Sequence, residues 1–225
     1  MFAELALASL IASVPLAHAI PDVTVKALPT GDCSSYPGYD ASSDTAGPWT
    51  IAIVDSENAA IEGFSDTSIY SISYNPQTDT KPSLRWGSIT IPTRNDIAKT
   101  PLQCEAGELK ARVPTDLTAA GAPTNVQWTP LVISPYPYDA ALMWKIDGSA
   151  PQIFEHYIDG VKQDGVFLGG VNGNTTWGLK YYSASSGSSG QDYFYMRLLG
   201  PDSANPSTGA PLGANETMAF VKINA

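Results

Sequence analysis

Histidine is the scarcest of the residues that could do chemistry in this chain. Of two histidines, His18 falls in an N-terminal stretch read below as a removable signal, which leaves His156 alone in the mature protein. A Ser-His-Asp or Cys-His system needs only one such base. Yet the chain has no Gly-x-Ser-x-Gly elbow, and His156 lies in the strand-like run Phe154-Glu155-His156-Tyr157-Ile158, where a partly buried packing role is expected of it. A closed zinc site fails for a related reason. One His and two Cys at unrelated spacing cannot fill four positions without carboxylates. No metal, cofactor or catalytic residue is assigned from the sequence.

Carboxylates are plentiful, with 22 Asp plus Glu against 12 Lys plus Arg. Cleaving or eliminating a glycosidic bond needs two of them flanking a sugar and no histidine. Asp55, Glu57, Glu62, Glu155 and Asp159 sit on predicted strands or their ends, although spacing alone does not pair them. Asp159, Asp164 and Asn172 do not follow the alternating ligand spacing of a calcium loop. Aromatic side chains offer a different chemistry, a flat apolar face for a sugar ring with a polar edge for its hydroxyls. Ser134-Pro135-Tyr136-Pro137-Tyr138-Asp139 is the best local candidate. Its two prolines forbid a central strand, so Tyr136 and Tyr138 belong to a stiff loop or edge and are the candidate ligand contacts. The five tryptophans lie on strand-like segments, where core packing is expected.

The elements that must position these residues read as strands. Gly 19 and Pro 18 accompany a charged fraction of only 15%, which is a turn-rich composition. Short β-branched or aromatic segments recur from Trp49 to Ile223 between turn signals, and several alternate with a period of two. Leu109, Ala111 and Val113 share one face, as do Trp177, Leu179 and Tyr181, and Tyr70, Ile72 and Tyr74. Asp147-Gly148, Asp159-Gly160, Asp164-Gly165 and Asn172-Gly173 predict tight hairpins. Ala184 to Gly190 and Pro201 to Ala214 lack apolar anchors and are expected to be mobile loops. The expected fold is all-β: one sandwich or distorted barrel of about ten short antiparallel strands over 49–225, preceded by an extended arm over 20–48.

Residues 1–19 have the form of a secretory signal: an apolar run from Leu5 to Val14, Pro15, then Ala17-His18-Ala19 before Ile20. The n-region departs from the pattern by carrying Glu4 and no Lys or Arg. No later stretch reaches membrane-spanning length. In an oxidising compartment Cys33 and Cys104, the only cysteines, are expected to form one disulfide. Asn174-Thr175-Thr176 and Asn215-Glu216-Thr217 are glycosylation sequons. A net charge of −10 with no basic run should repel nucleic acid and anionic lipid.

Two resemblances follow. Cleavage after Ala17 would make His18 the N-terminus, and with His156 this resembles the copper-binding histidine brace of secreted fungal polysaccharide monooxygenases; it would also put Pro15 at −3, where small residues are wanted. The runs Thr175 to Tyr182 and Asp192 to Pro201 resemble uncharacterised small secreted proteins of filamentous fungi, which implies export and assigns no catalytic residue. Together these readings point to a secreted, noncatalytic protein that is wall-associated or host-interacting, with a cell-wall glycan or a host protein as its partner. The alternatives are a carbohydrate-active enzyme with paired carboxylates and a β-barrel that binds or processes a small metabolite.

Overall fold

A computed structural model describes residues 19–73, 85–94, 99–118, 120, 122–185 and 191–225. All of the expected signal except Ala19, including His18, lies outside them, as do Tyr74 and the Ser/Gly stretch 186–190. The fold is all-β. Among the described residues no helix is long and apolar enough to cross a membrane.

Fifteen strands are formed among the described residues, more than the ten or so expected, because several are only two to four residues long. Nine of them close an antiparallel barrel: β3 (Thr45–Val54), β6 (Leu102–Glu105), β7 (Glu108–Leu117), β8 (Pro123–Ile133), β9 (Leu142–Trp144), β5 (Arg85–Pro92), β14 (Tyr193–Leu198), β13 (Thr176–Tyr182) and β15 (Glu216–Asn224). Closure is made by β15 against β3, with Phe220 opposite Val54 through Asn224 opposite Thr50. A closed ring leaves no edge within it to recruit another chain. Lys222 of β15 also lies opposite Phe167 of β12 (Phe167–Gly169), and from there a branch runs through β10 (Gln152–Ile158) to β1 (Thr24–Ala27). Three short pieces complete the set: β2 (Tyr39–Asp40) beside β3, β4 (Ser68–Ser73) beside β5, and β11 (Val161–Lys162) beside β10.

Alternation decides the inside. Ile51 and Ile53, Ile89 and Ile91, Trp177 and Leu179, and Ala219, Val221 and Ile223 each place every second side chain in one buried cluster. Leu109, Ala111 and Val113 join it as the period of two requires. Each such Ile, Leu or Val side chain contributes roughly 1.5–3 kcal/mol of burial. In β4, Ile69 packs on the core while Tyr70 lies opposite Ser88 on the outward face. A two-sided alternation of aromatic and Ser residues fixes the strand but not which side meets the core.

The N-terminal arm is more regular than expected. β1 pairs with β10 over four residues, and β3 begins at Thr45, running through the expected boundary at Pro48. Cys33 and Cys104 are disulfide-bonded and fully buried. Closing a loop of 71 residues contributes roughly 4 kcal/mol in the chain-entropy picture. Tyr36 stacks on Trp49 at 5.3 Å, and the Trp49 indole N–H donates to the Pro37 carbonyl. Tyr39 is exposed and pairs with Ala46 of β3.

Of the predicted hairpins, Asp159-Gly160 takes positive φ at both residues (50° and 77°) and joins β10 to β11. Asp147-Gly148 does not make a tight turn. There the chain runs back along β8, with Ser149 and Ile133 exchanging backbone hydrogen bonds, and a Cβ at Gly148 would overlap the Ile133 carbonyl. Pro201 to Ala214 is also tethered, as described next.

Candidate functional site

The ring forks at β5. One of its edges is taken by β4, with Ser68 opposite Thr90 and Tyr70 opposite Ser88. The same two β5 residues pair with Tyr195 of β14 and Met143 of β9, so β14 and β9 share the other edge in succession. Where β14 leaves and β9 joins, the outer surface opens into a groove of about 630 Å³.

Strand residues of the outward face floor this groove, among them Tyr70, Trp86, Ser88, Met143, Tyr193 and Tyr195. Tyr182 of β13, opposite Tyr193, extends it. Tyr70 and Tyr182 stack on either flank of the Tyr193 contact at 5.9 and 5.5 Å, and Tyr195 meets Tyr182 edge-on at 6.3 Å. Rings stacked on one another leave edges and hydroxyls for a ligand. Half-buried Trp86 and exposed Tyr136 bring aromatic surface of another orientation. Burial, with the Tyr70 and Tyr182 phenols nearby, pushes Tyr193 up to about 12; burial and then the Asp139 carboxylate raise Tyr195 further. Both phenols therefore stay protonated at physiological pH.

One wall is the loop predicted to carry ligand contacts. Tyr136 lines the groove, whereas Tyr138, 6.1 Å away ring to ring, lines a smaller neighbouring pocket of about 180 Å³. The Tyr138 carbonyl accepts from the Arg197 guanidinium at 3.2 Å, and the Tyr195 hydroxyl donates to Asp139 Oδ1 at 2.9 Å. Arg197 does more than this. It pairs with Glu216 through Nε and Nη2 at 2.6 and 2.8 Å and donates to the carbonyls of Ser203 and Pro211. Both charged side chains are buried. The ion pair lies on Gly178, where a Cβ would overlap the Glu216 carboxylate. This clamp ties Pro201 to Ala214, expected to be mobile, to the barrel wall.

Among the described residues the carboxylates in the groove are Asp139 and Asp147, both exposed. None of the five acids singled out from the sequence lines it. Glu62 accepts from the amides of Asp55 and Ser56, and burial followed by the Glu62 charge raises the Asp55 carboxyl. Glu57 accepts from the Met218 amide. Hydrogen bonds from Lys162 and then Tyr157 pull Glu155 down to about 2. Asp159 occupies its turn.

His156 lies elsewhere. It is buried on β10, stacked on Phe167 at 3.8 Å and edge-on to Phe220 at 4.6 Å, and neither ring nitrogen has a hydrogen-bond partner among the described residues. Burial lowers it to about 4, so the ring is neutral. Among the described residues no three His, Cys, Asp or Glu side chains are grouped to hold a metal ion. Of the sequon residues, Asn215 is exposed and Asn174 half-buried. The chain matches no protein-family model and no curated protein sequence.

Proposed function

We propose that this chain is an exported binding protein without catalytic activity, which holds a cell-wall or host saccharide in the groove at the β5 fork. The observation that carries this reading is the groove itself: about 630 Å³ lined by Trp86, Tyr136 and four further tyrosines beside Ser88, Ser134 and two carboxylates. Aromatic surface covers the apolar face of a sugar ring, while phenols, serines and carboxylates meet its hydroxyls. Tyr136 is the direct ligand contact of the predicted pair, and Tyr138 extends the surface into the next pocket. Export is supported by the apolar N-terminal run and the buried disulfide, and exposed Asn215 is the more accessible of the two sequons for a glycan. The excess of acidic residues disfavours nucleic acid.

A second reading has its own observation, since Asp139 and Asp147 line one cleft as the two carboxylates of a glycosidase would. A general acid at neutral pH is held protonated by burial, and both of these residues are exposed. A glycan array run beside a reducing-sugar release assay separates the readings. Binding without sugar release is expected; release that is lost in Asp139→Asn or Asp147→Asn replaces the binding protein with an enzyme.

A further inference from the structure

Among the described residues the groove is charged in one sense only. Asp139 enters from the loop after β8 and Asp147 from the segment after β9, while no lysine, arginine or histidine is among its described lining residues. Neither carboxylate has a Lys or Arg partner among the described residues. Asp139 accepts one neutral hydrogen bond, from Tyr195 through Oδ1. Both are exposed, so a ligand can reach them without displacing a protein cation.

One tyrosine of the groove, Tyr182, already accepts an ammonium. Lys180 places Nζ 5.3 Å from the centre of the Tyr182 ring, in the adjoining pocket. Ring faces attract cations through their quadrupole, and carboxylates nearby add a Coulomb attraction that salt screens. The other strong charges near this wall, Arg197 and Glu216, cancel each other as a buried pair. A neutral sugar would leave both acids of the groove unmatched, and an anionic one would be repelled by them and by a chain of net charge −10.

We infer that the saccharide taken by the groove carries free amines: a 2-amino sugar oligomer whose ammonium groups meet Asp139 and Asp147 while its ring faces lie on the aromatic side chains. This rests on the saccharide reading of the same groove. It goes beyond that reading by fixing the ligand's charge.

The test is calorimetric titration of the whole secreted protein with a β-1,4-linked glucosamine oligomer and with its fully N-acetylated counterpart of equal length. Tighter binding of the amine form by at least about tenfold at 20 mM salt, shrinking at 0.5 M, is expected. The Asp139→Asn/Asp147→Asn double variant should lose that preference with an unchanged melting temperature, since both side chains are exposed; Asp147→Asn alone, which disturbs no hydrogen bond to Tyr195, should lose part of it. Equal affinity for the two oligomers overturns the charge assignment and leaves the saccharide reading standing. So does an amine preference that survives in the double variant, because the attraction then comes from acidic surface elsewhere. Failure of both oligomers and of every glycan on the array overturns both.

Discussion

Two clusters of aromatic side chains flank the barrel, and they are built to opposite ends. Around His156 the rings of Phe167 and Phe220 close on an imidazole with no hydrogen-bond partner among the described residues, and β1 runs alongside with Val25 opposite the histidine. Around Tyr193 the rings of Tyr70, Tyr182 and Tyr195 carry hydroxyls, and carboxylates stand at the groove's margin. The first cluster has a strand laid along it. The second lies where β14 leaves β5 and β9 joins, so no strand of the described residues covers it. An aromatic cluster thus becomes a site through what the backbone leaves uncovered, not through its ring count.

This contrast can be broken most forcefully at the clamp. Glu216→Ala would strand the Arg197 guanidinium in a buried position, and denaturant unfolding should show a loss of about 3–5 kcal/mol. Because Arg197 also holds the Tyr138 carbonyl, saccharide binding should fall with it, while the rings around His156 keep their packing. A stability unchanged within 1 kcal/mol would mean that the pair is not the clamp described.

The closed cluster is tested by pH. With His156 lowered to about 4 in the folded chain and near 6.5 when unfolded, the unfolded state binds the extra proton between those values. Stability attributable to His156 is therefore complete above about pH 6.5 and declines as the pH falls to 4, by roughly 3 kcal/mol. His156→Phe should flatten the slope of unfolding free energy against pH over that window, whatever its effect on absolute stability; an unaltered slope would show the imidazole to be hydrated. Tyr136→Ala sharpens the comparison from the open side. Its side chain is 58% exposed, so stability should move by no more than about 0.5 kcal/mol, while affinity for the groove's saccharide drops about tenfold, or ~1.4 kcal/mol.

What could be read from the amino acids follows the range of each interaction. The all-β character, the turn at Asp159-Gly160 and the break in strand structure at Pro135 to Pro137 are local, and each is found where expected. The groove is not local. Tyr70, Tyr182 and Tyr193 converge through the registers of β4, β13 and β14 on β5, which no periodicity contains. Alternation marked Tyr70 as facing one side of a strand, and only Ile69 packing on the core shows that side to be outward. Asp139 stood within the quoted tyrosine run, but Asp147 looked like an ordinary turn residue because Asp-Gly is the commonest dress of a hairpin. The Arg197–Glu216 pair spans 19 residues and two strands that are not ring neighbours, with β13 between them. Without it Pro201 to Ala214 reads as unanchored chain.

The bridge between Cys33 and Cys104 encloses 71 residues of sequence separation, including β2, β3, β4 and β5. A single peptide bond hydrolysed anywhere inside that circuit leaves the two pieces covalently joined, with β3 still hydrogen-bonded to β15 outside it. Nicking by an endopeptidase and loss of the molecule are thereby made separate events, and the groove floor supplied by β5 travels with the rest of the barrel after the first cut.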